Sequence, residues 1–414
     1  MKADLILIGN ELLNGKTQDL NTMALAKGLF KIGISLRKVH IIQDGSLEFS
    51  TSMDDALINS DAIFISGGLG PTQDDVTKSM LSLYLKKEIV YHEQAYQMAL
   101  SHYERTNREY KKSDVYYHEL PLEFTPIKNP AGYAPGILAE KQNKSIYALP
   151  GVPSEFRAML EQIIIPIINT QSEYIMEQLT FKTYGVSEAK IFNELCPKLW
   201  NELESYGEVS SLPHPLSVDI GVTITAQTQK KLQEKKQAIE QLIYHSNLKE
   251  YIWHTGKENL EELIVKEAIE KKLTLGFAES CTGGLCASRI TDVSGSSSVF
   301  YGSIVSYANS VKQKSLQVSE KTLQNFGAVS METAQEMAQG ARSELNVDIA
   351  VSITGIAGPG GGSKEKPVGT VGIAIATKKA STSNLHFFSG ERLSLKYSFS
   401  QIALFKMLEA IRAF

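Results

Sequence analysis

The stretch Ala278-Glu279-Ser280-Cys281-Thr282-Gly283-Gly284 decides how the C-terminal part of this chain is interpreted. It follows a short apolar run at 273–277, typical of a buried strand, and precedes 285–290, typical of the start of a helix. A turn between a strand and a helix is where α/β folds place nucleophiles and anion-binding amides. Glycines there let a ligand approach the backbone closely. The alternative is a capped turn without chemistry, because Ser and Thr are common helix N-caps.

Composition and charge exclude several classes of protein. At about 100–200 residues per domain, the 414 residues predict several domains. The net charge of −4 gives no support to binding of nucleic acid or an acidic membrane surface, and no apolar run is long enough to cross a bilayer. Cys196, Cys281 and Cys286 lack the spacing of a disulfide framework or a zinc site. We find no signal peptide before the first strand and expect a reduced, cytoplasmic protein.

Strands alternate with helices in the N-terminal segment. Apolar patterns predict strands at 5–8, 35–42 and 61–65, and helices at 21–33 and 48–59. This alternation predicts a parallel sheet that helices cover on both faces. Residues 92–119 are polar and rich in tyrosine, and we expect the histidines of this segment to lie at the surface: His92, His102 and His118.

The third predicted strand opens into Ser66-Gly67-Gly68-Leu69-Gly70-Pro71-Thr72-Gln73-Asp74-Asp75. Amides at Gly67, Gly68 and Gly70 could contact a phosphate. The spacing matches neither a Rossmann fingerprint nor a P-loop. Asp74 and Asp75 could hold a divalent metal against a pyrophosphate. The alternative is that two acids at the start of a helix only complement its dipole.

The chemistry open to Ser280 depends on which base could activate it. The chain has no histidine near Ser280 and no G-x-S-x-G elbow, which argues against a Ser-His-Asp triad. A neutral lysine can activate a serine instead, and burial lowers the pKa of a lysine. Lys312 is the candidate base, and Tyr307 could relay or orient its proton. The amides of Gly283 and Gly284 would then form an oxyanion hole.

The sequence leaves open an alternative nucleophile and an alternative role for Lys312, and it also offers groups that could bind a phosphate. Cys281 could be the nucleophile, although no base is evident beside it. Lys312 could be an ordinary surface lysine. Two glycine-rich loops together with Arg392 could hold a phosphorylated substrate.

Motifs along nearly the whole chain resemble the CinA family. The N-terminal motifs are Ile-Gly-Asn-Glu-Leu-Leu at 8–13, the glycine-rich run at 67–75, Ala-Pro-Gly at 134–136 and Leu-Pro-Gly-Val-Pro at 149–153. The C-terminal motifs begin with the opening stretch and Tyr-x-Asn-x-x-Lys at 307–312. They continue with Gly-Ala-Val-Ser at 327–330, Thr-Gly-Ile-Ala-Gly-Pro-x-Gly-Gly at 354–362, Lys-Pro-Val-Gly-Thr-Val at 366–371 and Phe-x-Gly-x-Arg at 388–392.

The resemblance implies an α/β multi-domain chain with three parts. Residues 1–168 would form a parallel α/β domain like molybdopterin-binding domains, associated in this family with metal-dependent ADP-ribose pyrophosphatase activity. Residues 169–253 would form a small KH-like α+β domain, here without the Gly-x-x-Gly clamp of KH domains that bind nucleic acid. Residues 254–414 would form the CinA deamidase domain.

The stand-alone form of that C-terminal domain is nicotinamide mononucleotide deamidase, which converts the nucleotide to nicotinic acid mononucleotide and ammonia. The resemblance makes Ser280 the nucleophile, Lys312 the base and Tyr307 its partner, with no cofactor at this site. It adds Thr354 and Arg392 as substrate contacts. Lys396 takes the place of an arginine in many relatives, keeping the charge but losing the bidentate fork. We also assign loop residues to substrate binding: Thr282, Gly283, Gly284, Gly355, Gly67, Gly68 and Gly70.

The resemblance also implies a cofactor and partners. Asp74 and Asp75 would hold a divalent metal of unidentified kind in the N-terminal domain, with ADP-ribose as its substrate. Family membership further implies a homodimer; we expect no contact with a membrane, and the sequence contains no direct evidence for binding of nucleic acid. The alternative function is a non-catalytic protein that binds a nucleotide or a pterin and is associated with competence and DNA damage.

Overall fold

The computed structural model describes residues 1–45, 47–72, 74–111, 116–169 and 174–414, without the side chain of Asn169. Gln73 of the glycine-rich run and part of the tyrosine-rich segment lie outside the described residues. By the pattern of its contacts, the chain divides into two compact units. One comprises Met1–Gln178, Leu203–Glu208 and Val222–Gln241, and the other Leu179–Glu202, Val209–Gly221 and Leu242–Phe414. The predicted domain limits near 168 and 253 stay a prediction.

The strands of the N-terminal segment are β1 (Lys2–Ile8), β2 (Ser35–Ile42), β3 (Ala62–Ser66), β4 (Ile89–Tyr91), β5 (Glu119–Pro121), β6 (Thr125–Ile127), β7 (Gly136–Lys141) and β8 (Lys144–Leu149). Within the described residues, six of them form one sheet in the order β2-β1-β3-β8-β7-β6, and β4 pairs with β5. The predicted parallel arrangement is confirmed for β2, β1, β3 and β8. An antiparallel edge extends it, because Gln142 and Asn143 both have positive φ and turn β7 back onto β8 as a hairpin.

Helices cover both faces of this sheet. Alternate residues of β1 enter different cores, with Leu5 and Leu7 in one cluster and Ile6 and Ile8 in the other. Burial on both faces is the reason that these strands are continuously apolar. The helices are α1 (Asn10–Leu13), α2 (Asn21–Phe30), α3 (Glu48–Asn59), α4 (Thr77–Leu85), α5 (Glu93–Arg105), α6 (Pro153–Met159) and α7 (Ile165–Asn169), the last two joined by a π-helical turn at Leu160–Ile164.

The middle segment has the α+β composition that the sequence predicts. Its strands are β9 (Ile175–Thr183), β10 (Glu208–His214), β11 (Ser217–Ala226) and β12 (Ile252–Thr255), in the sheet order β10-β11-β9-β12. Its helices are α8 (Glu188–Lys190), α9 (Leu199–Glu204) and α10 (Gln229–His245), with a π-helical turn at Ile191–Leu195 and a 3₁₀ turn at Asn247–Tyr251.

The strands of the C-terminal segment are β13 (Leu275–Glu279), β14 (Phe300–Val305), β15 (Ile349–Gly355), β16 (Thr370–Thr377) and β17 (Ser381–Phe387). They form a sheet in the order β14-β13-β15-β16-β17. β14, β13 and β15 run parallel, and β16 and β17 are antiparallel. The carboxyl ends of the three parallel strands therefore meet at one edge, which brings Ser280, Ser306 and Thr354 to the same region.

Helices pack around this second sheet. The first of them begins at a capping box, in which Asn259 and Glu262 exchange side-chain and backbone hydrogen bonds. The helices are α11 (Leu260–Lys271), α12 (Leu285–Thr291), α13 (Asn309–Leu316), α14 (Glu320–Phe326), α15 (Met331–Glu344) and α16 (Arg392–Arg412), with a 3₁₀ turn at Ser296–Ser298. Among the described residues, no helix is long and apolar enough to cross a membrane.

The expectation that His102 and His118 lie at the surface is wrong, because both side chains are buried. The ring of His102 lies 4.5 Å from that of Tyr133, and His118 Nδ1 lies 2.8 Å from the Tyr110 hydroxyl. Tyr96 and Tyr110 of this polar segment pack on His118, and Tyr133, from outside the segment, packs on His102.

Gly67 tests how closely the N-terminal turns must pack. It has φ +107°, and a Cβ there would collide with the carbonyl oxygen of Ile8. Gly15 has φ +65° with nothing near its missing Cβ. Gly15→Ala should cost roughly 1–2 kcal/mol of stability from backbone strain alone, and Gly67→Ala about 1–3 kcal/mol more from the collision. Thermal unfolding of the two variants measures the difference, and equal shifts would contradict the packing described here.

Candidate active site

The turn after β13 places Ser280 between buried strand and helix. All five residues of β13 are buried, and Ser280 itself is 7% exposed. The Ser280 amide donates to the Ile353 carbonyl of β15 at 2.9 Å. Gly283 and Gly284 follow with φ +66° and +96°, conformations that favour glycine. The local sequence thus produces a tight turn whose first residue is the serine.

Lys312 reaches this serine from α13. Its side chain is 1% exposed, and its Nζ lies 2.9 Å from Ser280 Oγ. The same nitrogen donates to the carbonyl of Ser306 at 2.7 Å and to the carbonyl of Tyr307 at 3.3 Å. A neutral amine has two N–H donors and one lone pair. With its two donors directed to carbonyls, the lone pair of neutral Lys312 is left for the proton of Ser280.

Burial shifts the pKa of the candidate base Lys312 and of the alternative nucleophile Cys281. Desolvation lowers the pKa of Lys312, while the Cys281 thiol acts weakly in the opposite direction. Burial raises the pKa of the Cys281 thiol to about 12. A thiol with such a pKa is protonated at neutral pH and is a poor nucleophile. The geometry therefore favours Ser280 over Cys281.

The two glycine amides assigned to an oxyanion hole are already engaged. The Gly283 amide donates to the Ser280 carbonyl at 3.1 Å, and the Gly284 amide donates to Glu279 Oε2 at 3.0 Å. This corrects the sequence-based expectation, which treated both as donors open to an oxyanion. No local pattern indicates that the acid before the serine folds back onto its own turn. The hydroxyl of Thr282, in contrast, is buried without a hydrogen-bond partner among the described residues.

Tyr307 takes a different position from the one expected. Its backbone carbonyl contacts Lys312, but its side chain is 65% exposed, and its hydroxyl accepts a hydrogen bond from Arg392 at 3.4 Å. Arg392 also donates to the Gly358 carbonyl at 2.6 Å. The Lys396 ammonium lies 3.9 Å from the position that a Cβ would have at Gly283. Two cationic side chains from the first turns of α16 thus lie near the serine turn.

Thr354 and Gly355 are placed by packing. The Thr354 hydroxyl is buried and donates to the Ala328 carbonyl at 2.6 Å. A Cβ at Gly355 would lie 2.9 Å from the Thr370 carbonyl oxygen on the neighbouring strand. Both residues thus help to shape the end of β15, and the substrate contacts predicted for them stay a prediction.

A second candidate site is a cavity of about 480 Å³ in the N-terminal segment. Gly67, Gly68 and Gly70 line it, as do Pro150 and Gly151 of the Leu-Pro-Gly turn. Among the described residues, no lysine or arginine lines it. Its carboxylates are Glu11, Asp44, Asp74, Asp75 and Glu155.

Asp74 and Asp75 differ in their surroundings. Asp75 accepts hydrogen bonds from the amides of Gly70 and Thr72, at 2.7 and 2.8 Å, and from the Thr72 hydroxyl at 2.5 Å. Asp75 therefore holds the loop in shape. Asp74 is exposed, and a hydrogen bond from Thr72 lowers its pKa. Carboxylates suit Mg²⁺, which is commonly bound by one or two of them together with substrate phosphates, so this donor set fits a divalent metal.

A second group of side chains could in principle bind a metal, but its carboxylates already pair with cationic side chains. Within the part of the chain that the structure describes, Asp4, His40 and Asp55 are the only three such groups with ligand atoms within 4.8 Å of one another. Arg37 pairs with both carboxylates, and Lys38 pairs with Asp55 at 2.9 Å. Cationic side chains already balance these acids, so we interpret the cluster as an ion-pair network.

Both the N-terminal and the C-terminal part of the chain match models of known protein families. A family model described as "CinA C-terminal domain" matches residues 257–411, and one described as "Probable molybdopterin binding domain" matches residues 4–170. A competence-damage inducible protein of Caldicellulosiruptor bescii is 36% identical over 404 residues, covering 98% of each chain. One from Acetivibrio thermocellus is 35% identical over 376 residues, covering 91% of this chain and 90% of the relative.

Solved structures with the same family name are also similar. The competence/damage inducible protein CihA from Agrobacterium tumefaciens is 38% identical, covering 38% of this chain and 97% of its own, with a TM-score of 0.36. The relative from Caldicellulosiruptor bescii is more than 30% identical to this chain over 98% of each. The chain therefore belongs to the CinA family.

Proposed function

We propose that this chain hydrolyses the carboxamide of nicotinamide mononucleotide, giving nicotinic acid mononucleotide and ammonia. The observation that carries the proposal is the buried contact of 2.9 Å between Lys312 Nζ and Ser280 Oγ. A lysine amine with a lowered pKa beside a serine is the arrangement that Ser-Lys hydrolases need. The identity of the substrate comes from the family resemblance.

The first half of the proposed reaction forms an ester. Ser280 Oγ attacks the carboxamide carbon while its proton moves to Lys312 Nζ. The tetrahedral adduct then collapses, the C–N bond breaks, and Lys312 returns the proton to the departing nitrogen. Ammonia leaves, and the nicotinoyl group stays bound to Ser280.

The second half regenerates the enzyme. Water attacks the ester carbon while Lys312, neutral again, accepts one of its protons. The bond to Ser280 Oγ breaks, and Lys312 returns the proton to that oxygen. The carbonyls of Ser306 and Tyr307 accept hydrogen bonds from the amine, so they can stabilise the ammonium in each intermediate.

The cationic side chains suit the phosphate end of the substrate. Arg392 is exposed at the start of α16, and Lys396 lies one turn further on, beside Gly283. The hydrogen bond from Arg392 to the exposed Tyr307 ties this phosphate side to the segment that carries the base. Lys396 supplies charge without the bidentate geometry of an arginine.

Removing either member of the pair should abolish ammonia release. We expect Ser280→Ala and Lys312→Met each to lower kcat by at least about 100-fold, since one loses the nucleophile and the other the base. Lys314→Met is the matched control, because Lys314 is exposed on the same helix, and it should keep wild-type activity. A chelator should leave ammonia release unchanged. Wild-type activity in Ser280→Ala would contradict the proposal, and binding of the nucleotide without turnover would favour the non-catalytic alternative.

The rate should depend on pH through Lys312. Only the neutral amine accepts the serine proton, so kcat/KM should rise as the pH increases through the pKa of Lys312. Because burial lowers this pKa, the midpoint should fall below the value of about 10.4 for an ordinary lysine. Measuring kcat/KM across the pH range tests this, and a midpoint at the ordinary value would mean that Lys312 is not the base in this form.

We also propose a metal-dependent ADP-ribose pyrophosphatase activity at the N-terminal cavity. The observation that favours it is the lining, which has five carboxylates and, among the described residues, no cationic side chain. Such a lining repels a pyrophosphate unless a cation is bound with it. When bound, a divalent metal would supply the charge that stabilises the phosphoanhydride during cleavage. Asp74 is the ligand we assign first, while Asp75 orients the glycine loop.

Asp74→Ala should separate the two activities. We expect it to lower release of AMP from ADP-ribose by at least about 100-fold with Mg²⁺ or Mn²⁺ present, and a chelator should have the same effect on wild type. Ammonia release should not change in either case. Glu104→Ala is the control, as Glu104 is an exposed acid outside the cavity. Undiminished AMP release in Asp74→Ala would remove Asp74 from the metal site.

A further inference from the structure

The carboxylate of Glu279 is completely buried one residue before Ser280. Its Oε2 accepts hydrogen bonds from the amides of Gly284 and Cys286, at 3.0 and 3.1 Å. Its Oε1 accepts from the Ala287 amide and from the Ser303 hydroxyl, both at 3.0 Å. Four donors therefore surround one carboxylate in a place without water contact, where an unsatisfied charge would be very costly.

These hydrogen bonds connect the residue before Ser280 to the helix that follows it and to the neighbouring strand. The side chain of Glu279 ties the end of β13 to the first turn of α12, and Ser303 ties it to β14. The backbone carbonyl of Glu279 accepts from the Ser306 amide at 2.7 Å, and Ser306 in turn accepts from Lys312. The same residue thus contacts the turn that carries the nucleophile and the segment that contacts the base.

The carboxylate of Glu279 also affects where a second anion could bind. The amides at the start of a helix attract phosphates and oxyanions. Here the carboxylate of Glu279 already occupies those of Gly284, Cys286 and Ala287. Because these amides are engaged, the proposed function assigns the substrate phosphate to the exposed cationic side chains of α16.

We propose that Glu279 is a positioning residue, which holds Ser280 Oγ against Lys312 by fixing the turn between β13 and α12. The proposal rests on Ser280 being the nucleophile of the proposed function. Glu279 touches no reacting atom. Its effect is on the geometry of the pair, and small displacements of a nucleophile from its base have large effects on rate.

The experiment compares three variants. Glu279→Gln replaces one acceptor oxygen by an N–H₂ group that faces amide or hydroxyl donors. Ser303→Ala removes a single donor to the carboxylate and leaves the turn otherwise intact. Glu261→Gln is the structural control: Glu261 pairs with Arg289 of α12 at 2.6 Å, so its loss loosens the same helix without touching the serine turn.

Three readouts separate positioning from general stability. The first is kcat and KM for nicotinamide mononucleotide. The second is the rate at which a fluorophosphonate probe modifies Ser280, measured by mass spectrometry. The third is the thermal unfolding midpoint. We expect Glu279→Gln to lower kcat and the modification rate by about 10- to 100-fold with KM changed less than about 2-fold. Ser303→Ala should lower both rates by a smaller factor. Glu261→Gln should lower the unfolding midpoint while both rates stay within about 2-fold of wild type.

The outcomes distinguish this proposal from the proposed function. Wild-type rates in Glu279→Gln, or equal losses in Glu279→Gln and Glu261→Gln at equal stability, would overturn the positioning role. If the probe modifies Ser280 but wild type releases no ammonia, the substrate assignment fails while the modification rates still test Glu279. If the probe does not modify Ser280 in wild type, both proposals fail. Should Glu279→Gln not fold, a wild-type modification rate in Ser303→Ala would count against the positioning role.

Discussion

In the proposed mechanism, the contact between Lys312 and Ser280 depends on a buried amine that can give up its extra proton. Burial disfavours the ammonium and so lowers the pKa of Lys312, and two backbone carbonyls accept hydrogen bonds from its Nζ. The sheet supplies the geometry, because the segments carrying these groups follow the carboxyl ends of adjacent parallel strands. A change in strand order would separate the serine from its base.

In the turn after β13, the carboxylate of Glu279 occupies backbone amides that could otherwise bind a phosphate. Strand-to-helix turns with glycines commonly bind phosphate through their amides. In this chain the carboxylate of Glu279 accepts hydrogen bonds from amides at the start of α12, so the proposed function assigns the contact with the substrate phosphate to the side chains of Arg392 and Lys396. At the N-terminal cavity a carboxylate has a similar part, because Asp75 accepts hydrogen bonds from the amides of Gly70 and Thr72. Under the proposed functions, the phosphate of one substrate would meet cationic side chains, and the pyrophosphate of the other would need a bound cation.

Local patterns predicted the elements well and their long-range partners less well. The predicted limits of β2 and α3 are confirmed. The sequence singled out Ser280 and Lys312, and the structure brings them together. It could not reveal that Glu279 would occupy the Gly284 amide, or that Tyr307 would turn its hydroxyl to Arg392. Those contacts depend on which loops meet in space, and residue type alone carries no such information. The buried His102 shows the same limit, because the ring that packs on it comes from Tyr133, which is distant in the sequence.

The most direct test of the account is the titration of Lys312 itself. Lysine labelled with ¹³C at the ε-carbon reports the protonation of each amine by NMR, and Lys312→Met assigns the signal. We predict that the Lys312 signal loses its proton at a pH below the ordinary value of about 10.4, and that its titration shifts in Ser280→Ala, whereas that of Lys78, another lysine whose pKa burial lowers, does not. A Lys312 signal that titrates with the exposed lysines would contradict a neutral amine at the serine and with it the proposed mechanism.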